Sequence, residues 1–62
     1  MLTVDQAVAY VIKMETSWNV EPSQTYFATQ RNCDGITIVS VATDNNSWDV
    51  WTLPNGDIYG EC

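Results

Sequence analysis

The chain has no histidine, only two basic residues (Lys13 and Arg31) and only two cysteines in 62 residues. Each shortage excludes something. Without Lys and Arg to neutralise phosphates, a basic nucleic-acid binder of the usual kind is ruled out. Without histidine, the Ser–His and Cys–His nucleophiles cannot be assembled. Two cysteines fall short of the disulfide framework of a small secreted domain. No apolar run approaches the roughly 20 residues of a membrane-spanning helix. Asp5 interrupts the N-terminal stretch and no basic segment precedes an apolar one, so no signal peptide is read and a cytoplasmic chain with reduced thiols is expected. A Cys33–Cys62 bridge stays open, because spacing alone does not exclude it.

What is present is apolar and acidic. Hydrophobic residues make up 45% of the chain, with three Trp, three Tyr and one Phe, enough to build a core. A domain of this length buries only roughly 60% of its unfolded surface. The expectation is therefore one domain over residues 1–62, helped by a staple, a partner or self-association.

The first eighteen residues predict a helix. Thr3-Val4-Asp5-Gln6 forms a capping box, with Leu2 and Ala7 placed as a hydrophobic staple and Asp5 suited to the positive end of the helix dipole. Val4, Ala7, Val8, Val11, Met14 or Glu15, and Trp18 follow the rhythm of one buried face. Asp5, Ala9, Lys13 and Thr16 fall opposite. Fraying is expected near Ser17, and Pro22 forbids continuation past Glu21.

Beyond Glu21-Pro22-Ser23 the period changes to two. Thr25 to Thr29 reads as a strand, Asn32-Cys33-Asp34-Gly35 as a turn, and Ile36 to Thr43 as the strongest strand. That strand is apolar on both faces (Ile36, Ile38 and Ala42 on one, Val39 and Val41 on the other), the mark of a central position. Asp44 to Ser47 turns, Trp48 to Leu53 returns, and Pro54-Asn55-Gly56-Asp57 signals a tight hairpin into Ile58-Tyr59-Gly60. The predicted architecture is α+β: one N-terminal helix packed on a three- or four-stranded antiparallel meander. One helix covers one face of such a sheet. Trp48 and Trp51 stand on opposite faces, so one of them points away from the helix unless the 19–24 connection, the N-terminus or sheet curvature covers it.

Chemistry-bearing groups are few. Cys33 and Cys62 have no base, and Asp34 and Glu61 beside them disfavour the thiolate. The carboxylates are spread over separate elements or sit in turns, where Asp is a turn former, and so small a domain has little volume for an acid–base cleft. Asp44-Asn45-Asn46 lacks the Gly and Glu of a calcium loop. No catalytic residue, cofactor or metal site is assigned. Charge says more. Residues 1–31 carry Asp5, Glu15 and Glu21 against Lys13 and Arg31, a net of −1. Residues 32–62 carry Asp34, Asp44, Asp49, Asp57 and Glu61 with no basic residue, a net of −5, which completes the total of −6. Such a field draws basic partners, or simply keeps an aromatic-rich protein soluble.

The segment Ser47-Trp48-Asp49-Val50-Trp51-Thr52, with Asn55-Gly56, Ile58-Tyr59 and the Glu61-Cys62 ending, resembles the closing hairpin of some small phage-encoded anti-CRISPR inhibitors. The resemblance covers about a quarter of the chain and implies a free-standing cytoplasmic inhibitor that binds a CRISPR effector complex, with no individual residue carried over. Leu2 to Val8, with Gly56-Asp57-Ile58, is similar to the start and last hairpin of a PepSY module, although neither that family's signal peptide nor its partner domain is expected here. The expectation is a non-catalytic protein-binding inhibitor. Asp44, Asp49, Asp57 and Glu61 steer it to a basic surface, acting as a DNA mimic or by locking the target's conformation, and Trp48, Trp51 and Tyr59 supply anchor area. The alternative is a self-associating or PepSY-like interaction module, with the exposed strip as a homodimer contact.

Overall fold

A computed structural model describes residues 2–18, 21 and 23–62. The predicted break at Pro22 lies outside the described residues. Helix α1 spans Val4–Ser17, and strands β1 (Tyr26–Cys33), β2 (Ile36–Thr43), β3 (Ser47–Thr52) and β4 (Ile58–Glu61) follow in order. They form one antiparallel sheet in the order β1-β2-β3-β4, so β2 is interior, as its two apolar faces require. The fold is α+β, with four strands.

The helix starts where the capping box places it. The Gln6 amide donates to Thr3 Oγ1 at 3.1 Å, and the Thr3 amide donates to Gln6 Oε1 at 2.9 Å. These bonds satisfy two amides that the first turn leaves unpaired. Leu2 and Ala7, the staple pair, are both buried. The buried stripe then runs Ala7, Val11 and Glu15, four residues apart, with Val4, Val8 and Met14 half-buried beside it. Trp18, at the end of that face, caps the helix: its amide donates to the Met14 carbonyl at 3.0 Å, and its ring packs on the core residue Trp48, centroids 5.2 Å apart, with the residue still 49% exposed.

Strand β1 runs four residues further than Thr29, through the first half of the segment read as a turn. Asn32 pairs with Thr37 and Cys33 with Ile36, leaving Asp34 and Gly35 alone to reverse the chain. Both have positive φ, 51° and 82°, the combination that matches the twist of a two-residue hairpin. The last hairpin closes through Leu53, whose amide donates to the Asp57 carbonyl, with Gly56 at φ 93°.

The core lies between α1 and one face of the sheet. Leu2, Ala7, Val11, Val39, Val41, Trp48 and Val50 are all 2% exposed or less. The register lines Val41 up with Trp48 and Val39 with Val50, which puts the helix-facing residues of both central strands in adjacent rows. Tyr26, Ala28 and Ile58 complete the layer from the outer strands. At Gly60 the Tyr10 ring lies so close that a Cβ there would sit 2.7 Å from Tyr10 Cε1. Glycine is what lets the helix reach β4.

Candidate functional site

Two places concentrate polar or aromatic groups, and their chemistry differs. The first is a buried knot under the C-terminal half of α1. Glu15 is only 1% exposed. Its Oε2 accepts the Ser23 hydroxyl at 2.7 Å, and its Oε1 accepts the Tyr26 hydroxyl at 2.8 Å and the Ser23 amide at 3.5 Å. Asn45 adds a bond from its Nδ2 to Ser23 Oγ at 3.1 Å. The Ser23 hydroxyl outweighs the desolvation of burial and, with Tyr26 and the Ser23 amide, holds the Glu15 carboxyl below its ordinary range. Desolvation and the facing carboxylate push the Tyr26 phenol up. Every donor here is neutral and every bond is internal. A carboxylate held ionised, with its oxygens occupied, is a poor proton acceptor. The knot ties α1 to the 23–25 segment, to β1 and to the β2–β3 turn, and its role is architectural.

Asp44 extends that tie. Its Oδ1 accepts the Gln24 amide at 3.0 Å and the Thr25 amide at 3.3 Å. Desolvation pushes its carboxyl up, but the Thr25, Asp44 and Gln24 amides and the Ser23 hydroxyl together hold it low. One oxygen pins the chain, while the residue stays exposed and its carboxyl ionised. Asp57 is similarly engaged in its turn, where Asp57 Oδ2 accepts from Asn55 Nδ2 and the Asp57 amide donates to Asn55 Oδ1.

The second place is the sheet face that α1 leaves open. Phe27, Thr29, Arg31 and Cys33 of β1, Ile36, Ile38, Ser40 and Ala42 of β2, Ser47, Asp49 and Trp51 of β3, and Tyr59 and Glu61 of β4 share this face by register. Among the described residues, no helix or strand packs across it. Phe27 is 70% exposed, Ile36 48% and Tyr59 41%. Two rows cross it. One runs Arg31, Ile38, Trp51 and Tyr59; the next runs Thr29, Ser40, Asp49 and Glu61.

Where these rows meet the last hairpin, two aromatics and two carboxylates form a square. Trp51 and Tyr59 are partners across the ladder and touch edge to face, ring centroids 5.3 Å apart at 69°. Asp49 and Glu61 are partners in the adjacent row, about 7 Å further along the strands. Ser40 Oγ donates to Asp49 Oδ1 at 2.9 Å, which fixes that carboxylate but neutralises nothing. Two like charges directly opposite one another weaken a sheet. The square therefore offers aromatic area to a flat or apolar group and an unrelieved negative pair to a cation.

Of the seven residues expected to bind a partner, the structure brings four together here: Asp49, Trp51, Tyr59 and Glu61. Trp48 belongs to the core at 2% exposed, stacked on Trp18 at 5.2 Å, and gives no anchor area to a partner. Asp44 and Asp57 are exposed and sit in turns outside this square, each with one carboxylate oxygen accepting hydrogen bonds. Phe27 and Ile38, both on expected strands, and Arg31, which lies beyond the expected end of β1 at Thr29, share the face as well. Cys33 and Cys62 are free and exposed. They stand at opposite edges of the sheet, about 14 Å apart in strand spacing alone, too far for a bridge between them. No helix among the described residues is long and apolar enough to cross a membrane, and no three metal-ligating side chains gather there. No family model, curated protein or solved structure matches this chain.

Proposed function

We propose that this protein works by binding rather than by catalysis, and that the open face of its sheet docks on a basic surface of another protein. The observation that carries this reading is the square of Trp51, Tyr59, Asp49 and Glu61 on a face over which, among the described residues, no helix or strand packs. Aromatic side chains supply most of the energy of small interfaces, while carboxylates set encounter rate and specificity. A partner cation relieves the Asp49–Glu61 repulsion, so the same contact repairs a local cost of the fold. Surfaces built to hold nucleic acid are basic. A chain of net charge −6 with its acid-bearing aromatic face exposed is suited to compete for one. In its most specific form the protein is an inhibitor that blocks a nucleic-acid-binding surface, of the anti-CRISPR kind its last hairpin resembles.

The test is a double charge reversal, Asp49→Lys with Glu61→Lys, at exposed positions that leave the core untouched. Affinity for a basic partner captured from lysate should fall at least about tenfold, and the wild-type complex should dissociate along a rising salt gradient. A partner bound equally well by the reversed variant would sink the reading.

A further inference from the structure

The two edges of the sheet are unlike. β4 is four residues long, carries Glu61, lies beside Asp49 and leaves the Asp57 turn. β1 is eight residues long, pairs with β2 without a break from Tyr26 to Cys33, and has no carboxylate; its single charge is Arg31. Proteins blunt exposed edges with charged side chains, Pro, bulges or very short strands. Of these devices β1 has only the charge of Arg31. In a chain of net charge −6, it is also the edge where two copies meet with the least repulsion.

We propose that β1 is a self-pairing edge, on which the β1 of a second copy docks antiparallel about Thr29 to join two four-stranded sheets into one of eight. The edge is complementary to itself in that register. Phe27 and Arg31 lie two residues either side of Thr29 on the open face, so each Arg31 meets the Phe27 of the other copy, twice over. A guanidinium over an aromatic ring is a favourable contact. Thr29 meets its own counterpart on the axis, a pairing that suits a sheet. On the helix side Ala28 meets Gln30, small against large. A slip of two residues either way loses both Phe–Arg pairs. Pairing β1 with β4 instead would match four residues to eight and propagate without closing. The closed dimer turns both open faces to the same side, with the two Trp51–Tyr59 squares about 29 Å apart, centre to centre, across six strand spacings. It is a bivalent surface for two basic sites, or for one extended one.

Sedimentation of the full chain under reducing conditions tests this without any partner. A monomer–dimer equilibrium is expected, shifting toward dimer as salt rises, because screening relaxes the repulsion between two acidic copies. That sign is opposite to the one expected for binding a basic surface, so the two readings fail separately. Thr29→Asp sets two carboxylates face to face on the axis and should weaken the dimer at least about tenfold. In a Cys33→Ser, Cys62→Ser background, Thr29→Cys should oxidise to a covalent dimer, while Asp49→Cys should not. The proposal is overturned by a monomer at every concentration and salt. It is equally overturned by an open-ended series of larger species, by a dimer lost in Trp51→Ala but kept in Thr29→Asp, or by failure of Thr29→Cys to cross-link.

Discussion

The two faces of this sheet are built from the same strands, often from adjacent residues, and do opposite jobs. On one face Val39, Val41, Trp48 and Val50 are sealed under α1 at 2% exposure or less. On the other, one residue along each strand, Ile38, Trp51 and Tyr59 stand beside Asp49 and Glu61 with no helix over them among the described residues. The contrast teaches that hydrophobicity alone does not mark the core in so small a protein. With only one helix to spend, register decides which tryptophan stabilises the fold and which is left for a partner.

The largest expected effect separates the two tryptophans. Trp48→Ala empties the centre of the core and should cost about 3–5 kcal/mol, most of the roughly 3–9 kcal/mol available to a domain of 62 residues. Trp51→Ala loses one edge-to-face contact and should cost about 1 kcal/mol. Chemical denaturation of both variants checks this. Equal losses would mean that the open face is as much core as the other.

The next effect lies in the Glu15 knot. Glu15→Gln should cost about 1–3 kcal/mol, because Ser23 and Tyr26 lose a charged acceptor in a buried site. Its sign with pH follows from the lowered carboxyl. The folded value lies below the ordinary 4.5, so the contribution is fully present above that pH and is lost as pH falls through the folded value. Thermal melts of wild type should drop through this window, and those of Glu15→Gln should drop less.

Gly60→Ala should cost about 1–3 kcal/mol by overpacking, since its Cβ would meet the Tyr10 ring at 2.7 Å and Val50 Cγ2 at 3.2 Å. Amide exchange should rise in β4 and α1 rather than in β1. The smallest effect sharpens the comparison most. Glu61→Gln removes one of two facing carboxylates, so stability should rise by a few tenths of a kcal/mol while affinity for a basic partner falls. Opposite signs in one variant mark a surface kept for binding at the expense of the fold.

Much of this was legible in the chain. The capping box placed the helix start, and the apolar faces of Ile36 to Thr43 placed β2 inside the sheet. Alternation alone put Trp48 and Trp51 on opposite faces. Which of them faces the helix was not legible, because that depends on Val41 pairing with Trp48 rather than with a neighbour. The β1–β2 turn is narrower than the Asn32-Cys33-Asp34-Gly35 pattern suggests: Asn32 is a common turn residue, and only the positive φ of both Asp34 and Gly35 shows that two residues suffice. The Glu15 knot was half visible in the Ala7, Val11, Glu15 stripe. Its partners, eight and eleven residues on, meet it only in the folded chain.

The most direct test of the two-face assignment is a titration of the isotope-labelled chain with a short peptide of alternating Arg and Gly, followed by NMR at low and moderate salt. The expected result is saturable shifts at Ser40, Asp49, Trp51, Tyr59 and Glu61, weaker at the higher salt, with Val11, Val39 and Trp48 unmoved. Shifts centred on α1, or spread evenly over the acidic turns at Asp34, Asp44 and Asp57, would contradict it.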